Sequence, residues 1–514
     1  MTNWTVTEGY HAGVDYNYEY HAELNPLRLN LALLNVDLVA PVTSTACELG
    51  FGQGLAMNLH AAASTTQWFG TDFNPAHAVF AKELASASGA AASFFDQSFA
   101  EFCSRPDLPD FDFIGLHGVF SWISDQNRST IIDFINRKLK VGGVLYVSYN
   151  TLSGHAAFMP MQELLTRYVE LHGASGHTLL SSMDRALEFA AKVLAASPLC
   201  TQANPQLANE LKTISGYNRT YVAHEYINRA WTPMSFSRLA EWLAPTKLTY
   251  ACTARWFDTI DEWNLTVEQQ AVLNEIPDIK LRETVRNLMM NRRLRKDYWI
   301  KGARRITPQE KLEGFRRQRV VLAVPRSDVS VEAQAILGNF SPPKSVYEPI
   351  LDALADHRPR TLGQIEQAVN DKGINLSLIM TVVLALVETG ALFPVQDDTV
   401  IKAARTQTDK LNAFLCDSAR YRVTQSVLVS PLIGAGIVDV GRVVQFFWHA
   451  MSLGKKQPSD LAAHASQIFR AEGMTILEEE KLYTPPDGNL TALTAAATIF
   501  TEKMVPVLKA LQIL

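Results

Sequence analysis

With 514 residues, 47% of them hydrophobic and 19% charged, the chain is too long for one core and apolar enough to bury several, so two to four domains are expected. A formal net charge of -5 gives no overall pull toward nucleic acid or anionic lipid, and neither is expected as a partner. Five cysteines, odd in number and without a C-x-x-C pair, argue against a disulfide framework and a structural metal, and no leader or membrane-length run is present, so a cytoplasmic protein that does not enter a membrane is expected.

Residues 1 to 30 are rich in aromatic side chains, and alternation puts Tyr16, Tyr18 and Tyr20 on one side of an extended segment. That side either straps the arm over a core or faces a ligand. Leu27 to Val39 has helical spacing and stops at Ala40-Pro41. Strand-like and helix-like segments then alternate: Ala46–Gly50 strand, Leu55–Ala63 helix, Gln67–Asp72 strand, 75–87 helix with Pro75 in its first turn, Ala92–Phe95 strand, Phe111–His117 strand, 129–139 helix, Val144–Tyr149 strand. Such an alternation implies a parallel sheet covered on both faces, with ligands beyond the carboxyl ends of the strands.

From 151 to about 220 the pattern is helical and reads as an insertion over the ligand edge of the sheet. A helix at Ser235–Leu243 and a β-rich stretch at Lys247–Trp256 complete a first domain of residues 1–259. Residues 260–340 read as a helical middle region with a basic stretch, in which twelve Lys or Arg face three acids between Arg286 and Arg319. The favoured reading is a solvated face or one paired with acids elsewhere, rather than a phosphate or acidic-partner site. Residues 341–514 form a mixed C-terminal domain whose part 341–400, three helices and a short strand, has a winged-helix-like order. Its third helix, from Leu376, carries almost no basic or amide side chain to read bases, which makes it a packing module.

The chemistry concentrates in Thr45-Ala-Cys-Glu-Leu-Gly-Phe-Gly-Gln-Gly54. Glycines at 50, 52 and 54, between a strand and a helix, describe a tight turn with room for a ligand against bare backbone. Asp72, eighteen residues past Gly54, stands where a second-strand acid reaches ribose hydroxyls, or else caps the helix before Pro75. Asp96, Gln97 and Ser98 stand where a third strand end meets an adenine amino group. The G-x-G-x-G spacing and the acid Glu48 before it suit a zwitterionic or cationic ligand better than a pyrophosphate. S-adenosylmethionine carries both a sulfonium and an ammonium.

Cys47–Gly54, Gly70-Thr-Asp-Phe-Asn-Pro75, Leu116-His-Gly-Val-Phe-Ser-Trp122 and Leu139-Lys-Val-Gly-Gly-Val-Leu145 resemble the successive motifs of class I S-adenosylmethionine-dependent methyltransferases. More narrowly, the chain is similar to the group with a methyltransferase regulatory domain, which includes bacterial protein-lysine methyltransferases of outer-membrane proteins. His224-Glu225-Tyr226-Ile227-Asn228 and Asp297-Tyr298-Trp299 extend the likeness. The resemblance implies an α/β fold: a Rossmann-like seven-stranded sheet with its last strand antiparallel, a helical middle domain, a C-terminal domain and a possible homodimer. Ser153-Gly154-His155 replaces the Pro-Gly-Trp turn expected after Asn150 and alters the substrate mouth.

The expected cofactor set is Tyr16, Glu48, Gly50, Phe51, Gly52, Gly54, Asp72, Phe73, Asp96, Gln97, Ser98 and His117. Tyr18, Tyr20, Trp122, Tyr149 and Asn150 are the candidate catalytic wall around the acceptor. His155 and His224-Glu225 are weaker candidates for a general base. The favoured acceptor is a protein side chain, lysine first. A small molecule or glycan is the alternative, and a non-catalytic cofactor-binding scaffold a second one.

Overall fold

The strands of the main sheet are short apolar runs whose alternate residues enter two different cores. In the computed structural model, which describes residues 6–7, 10–11, 18–172, 179–196, 198–421, 427–438, 440–471 and 490–514, these strands are β1 (Thr45–Leu49), β2 (Gln67–Thr71), β3 (Ala92–Phe95), β4 (Phe111–Leu116), β5 (Leu139–Asn150), β6 (Leu248–Thr253) and β7 (Leu294–Lys301). Ala46, Trp68, Phe113, Val144 and Tyr298 pack on one face, and Cys47, Phe69, Ile114, Leu145 and Trp299 on the other, as two-residue periodicity requires. The order across the sheet is β3-β2-β1-β4-β5-β7-β6. β1 to β5 pair in parallel, while β7 runs antiparallel to both β5 and β6. The order reverses at β1, so the connections that follow β1 and β4 leave the carboxyl edge in opposite directions.

The seventh strand corrects the sequence reading of residues 260–340 as a helical region outside a domain ending at 259. β7 comes from that region and sits between β5 and β6. Its charges do not mark a surface helix, because they are matched inside the fold: Arg295 meets Asp297 and Glu283, and Lys296 Nζ lies 2.5 Å from Glu23. The rest of the basic stretch is also paired widely: Arg286 with Asp261, Arg292 with Asp258, Lys311 with Asp37, Arg316 with Glu366 and Arg319 with Asp398.

The described residues between 152 and 226 form a cap with its own core, in which Met161, Leu165, Met183, Ala190, Leu211 and Val222 are buried between helices Met159–His172, Leu179–Ala196, Leu207–Ser215 and Arg219–Tyr226. Gly154 lets this cap approach the sheet, since a Cβ there would stand 2.6 Å from Arg292 O and Arg293 Cα.

Toward the C-terminus, helices Lys344–Asp352, Leu362–Ala368 and Leu376–Glu388 join a three-stranded sheet of Arg319–Leu322, Arg360–Thr361 and Leu392–Pro394. Beyond it the hairpin Leu428–Ser430/Ala435–Ile437 presses on the helix Leu55–Ala62 that follows the glycine loop. Gly436 is the contact, where a Cβ would lie 2.9 Å from Leu59 Cδ1, and Gln396 Nε2 donates to Ala63 O at 2.7 Å. The C-terminal part thus braces the glycine loop from behind. No helix among the described residues is long and apolar enough to cross a membrane.

Candidate active site

The loop after β1 turns on three glycines in the left-handed region, Gly50 (φ 78), Gly52 (φ 56) and Gly54 (φ 70), a conformation that costs other residues about 1–3 kcal/mol each. The turn also needs their small size: a Cβ on Gly50 would lie 2.5 Å from Val119 Cγ2 and one on Gly54 2.6 Å from Ala81 Cβ. Asp72, at the end of β2, ties the loop down. Its Oδ2 accepts from the Gly52 N–H at 2.9 Å, and its Oδ1 from the Asn74 N–H and His77 Nδ1, each at 3.0 Å.

These groups border a cleft of about 870 Å³, part of it open to solvent, at the carboxyl edge of the sheet. The cleft brings together Gly50, Gly52, Asp72, Phe73, Gln97, Ser98, His117 and Trp122 of the sequence-predicted residues. His77, Phe99, Gly118, Val119, Ile123 and Asn127 also line it and were not foreseen. Of these, His77 had a local signal: it lies in the first turn of helix Pro75–Ser88, which carries it back onto Asp72.

Several expected site residues lie off the lining of this cleft. Asp96 is exposed and turns toward Lys82 at 3.8 Å, because Ser98 caps helix Phe99–Cys103 immediately afterwards and Gln97 takes the inward position. Phe51 points into the core, edge-on to Phe94 at 5.1 Å, and Gly54 backs onto Ala81. Glu48 is buried at the carboxyl end of β1, next to the glycine loop, and is kept as a cofactor candidate. Tyr18 packs edge-on against Phe80 at 5.0 Å. The Tyr20 hydroxyl bonds His60 Nε2 at 3.0 Å and accepts from the Gly436 N–H at 3.3 Å, so both tyrosines fasten the arm and neither lines the cleft. Tyr149 is buried with its hydroxyl donating to Asp297 Oδ2 at 3.0 Å, and Asn150 meets His155 Nε2 at 3.2 Å, so these two build the sheet end. Tyr16 lies outside the described residues.

His117 is held by Tyr146, whose hydroxyl is 2.8 Å from Nδ1, and its ring stacks on His21 at 3.5 Å. Burial, then the neighbouring His21 and Lys296, push the His117 imidazole well below its ordinary value. It is uncharged at neutral pH. Trp122 stacks on Trp231 from below the cap at 5.9 Å, and Trp231 meets the edge of His155 at 5.1 Å. Of these, Trp122 lines the cleft.

Two buried acceptors, Glu48 Oε2 and Gln97 Oε1, have no hydrogen-bond partner among the described residues. Burial, then the Asp72 charge, pushes the Glu48 carboxyl up to about 8. A ligand with an ammonium group and an adenine amino group supplies the missing donors, and S-adenosylmethionine fits on both counts. A sheet of this order with a bare-backbone loop at its switch point and acids at the ends of its strands defines an S-adenosylmethionine-dependent methyltransferase.

The comparisons with known proteins agree. A methyltransferase domain model matches residues 47–147, and a predicted methyltransferase regulatory domain matches 218–301, which includes β6 and β7. Uncharacterized protein sll1526 from Synechocystis sp. is 35% identical over 514 residues, covering 99% of this chain and 100% of that one. Uncharacterized protein RP028 from Rickettsia prowazekii is 28% identical over 212 residues, 39% of this chain and 80% of its own. Among solved structures, PKMT2 from Rickettsia typhi in complex with AdoHcy shares the fold with a TM-score of 0.66 at 18% identity, over 94% of this chain and 98% of that one. The chain belongs to the class I S-adenosylmethionine-dependent methyltransferases that carry the regulatory domain.

Proposed function

We propose that this methyltransferase modifies a protein side chain, and that the side chain is lysine. The observation that carries the reading is the aromatic lining of the cleft, where Trp122, stacked on Trp231 at 5.9 Å, stands in the same wall as His117. Aromatic faces suit a slender alkyl chain ending in a cation better than a broad polar glycan. The likeness to PKMT2 spans cap and C-terminal regions as well as the sheet, which is consistent with an acceptor handled by the whole chain.

Bound S-adenosylmethionine would supply a methyl carbon on a sulfonium, open to attack by an uncharged amine with the thioether S-adenosylhomocysteine as leaving group. The protein's part is alignment and the exclusion of water. Gly50, Gly52 and the Asp72-fastened loop fix one ligand. Neutral His117 and the tryptophan stack present the other without a competing positive charge. A free lysine, with a pKa near about 10.4, must also lose a proton before it can react. Incubation with methyl-labelled cofactor and cell extract, followed by digestion, tests the acceptor. Label on lysine in protein is expected; label confined to glycans or small molecules would overturn the reading.

A further inference from the structure

The arm and the cap each send an acidic side chain to the same place. In the extended arm, Tyr18 and Tyr20 are anchored to Phe80 and to His60 with Gly436, so the alternate residues Glu19 and His21 face the other way. His21 stacks on His117 at 3.5 Å, which puts this side of the arm against the cofactor cleft, and Glu19 lies 3.6 Å from His21 Nε2.

On the cap, helix Arg219–Tyr226 buries Val222, Ala223 and Tyr226, leaving Tyr221 and Glu225, four residues apart, on a shared outer face. Glu225 is within electrostatic reach of Glu19. It has no hydrogen bond or ion pair among the described residues, and the nearest guanidinium, Arg293, is committed to Glu210 at 2.5 Å and to His155 Nδ1 at 3.2 Å. Independently, the Trp231 indole N–H is buried and finds no acceptor among the described residues, on the ring that stacks against the cleft-lining Trp122.

A half-buried carboxylate whose facing guanidinium, Arg293, is bonded to other partners, and which is backed by a second carboxylate and aromatic rings, fits an incoming cation. We infer that Glu19 and Glu225 form the acceptor port, in which the pair draws in the lysine ammonium and Glu225 takes its proton. This rests on the lysine reading above. One N–H bond of the ammonium breaks, its electron pair stays on nitrogen, the proton goes to a Glu225 oxygen, and the resulting carboxylic acid returns it to solvent.

The groups facing Glu225 among the described residues are Glu19 on the arm, Arg293 ahead of β7, and Tyr221 and Tyr226 on its own helix. Burial, then Glu19, raises the Glu225 carboxyl to about 7, so it exchanges a proton near neutrality. His21 is lowered by burial to about 4 and adds no repelling charge.

The test uses the full chain, methyl-labelled cofactor and total extract protein, reading label on lysine from pH 6 to 10 for wild type, Glu225→Gln and Glu19→Gln. Calorimetry with S-adenosylhomocysteine follows each variant. Glu225→Gln is expected to cut lysine labelling at pH 7 by about 100-fold, with the gap closing toward pH 10 as lysine sheds its own proton. Glu19→Gln is expected to raise the acceptor KM by up to about fivefold with little change in maximal rate. Both keep wild-type S-adenosylhomocysteine affinity. If wild type labels lysine and Glu225→Gln matches it in rate and pH profile, or if Glu225→Gln loses S-adenosylhomocysteine affinity, the port is refuted alone. If wild type labels no lysine, the acceptor reading fails first and takes the port with it.

Discussion

Replacing Asp72 by Ala tests how the cleft is held together. The carboxylate accepts from the Gly52 and Asn74 N–H groups and from His77, at 2.9 to 3.0 Å, inside a nearly closed environment. A hydrogen bond to a charged group contributes about 1.5–3 kcal/mol, and loss of the acceptor leaves the Gly52 N–H unmatched. Without that tie the glycine loop relaxes in the unliganded chain, and the ligand must re-form it on binding. If one such bond is what binding has to restore, S-adenosylhomocysteine affinity falls by about 10- to 150-fold. Asp72→Asn keeps one acceptor oxygen and loses the charge, so its loss is smaller. Calorimetry gives the affinities, and thermal unfolding of the unliganded protein gives the second reading. Because the tie exists without ligand, Asp72→Ala also lowers the unfolding midpoint. Weakened affinity with an unchanged midpoint would refute the tie and leave only a ribose contact. Unchanged affinity would refute the cleft itself.

Gly50→Ala forces an L residue to φ 78 and sets its Cβ 2.5 Å from Val119 Cγ2, so a loss of about 1–3 kcal/mol in stability and at least tenfold in affinity is expected by the same two measurements. The Glu48 carboxyl, raised from 4.5 to about 8, holds its proton in the fold while the unfolded chain has lost it, so this group costs stability as pH rises from about 4.5 and the cost is complete above about 8. Glu48→Gln should therefore raise the unliganded midpoint at pH 8.5 and weaken cofactor binding. In the wild type, binding an ammonium-bearing ligand at pH 7 should release a proton, seen as a buffer-dependent calorimetric enthalpy. Tyr20→Phe removes the hydroxyl shared by His60 and Gly436, which lowers the midpoint through loosened C-terminal bracing. S-adenosylhomocysteine affinity within about threefold of wild type is expected there, and a larger loss would return Tyr20 to the site.

The parallel core was legible because its signals are local. Apolar runs of four to six residues, glycines directly after β1 and acids at strand ends each reflect a neighbour a few positions away. β7 was not legible: its Arg, Lys and Asp read as surface, and partners on other elements make them internal, Glu283 twelve residues earlier and Glu23 273 residues away. The choice between Asp96 and Gln97 escaped for a related reason, since a single capped helix start decides which of two adjacent side chains turns inward.

The tyrosine arm divides the same way. Alternation determined that Tyr18 and Tyr20 share a side, with Glu19 and His21 opposite, because an extended backbone points successive side chains apart. Which side meets the cofactor cleft was settled by the C-terminal hairpin, whose Gly436 claims Tyr20 from the rear. The sequence by itself determined a sheet with a glycine loop built for an adenosine-bearing zwitterion, since backbone conformation and strand periodicity are short-range properties. Tertiary structure alone placed β7 in that sheet, turned the tyrosines away and brought Glu19 within reach of Glu225. Burial and charge compensation depend on partners that the chain brings together only by folding.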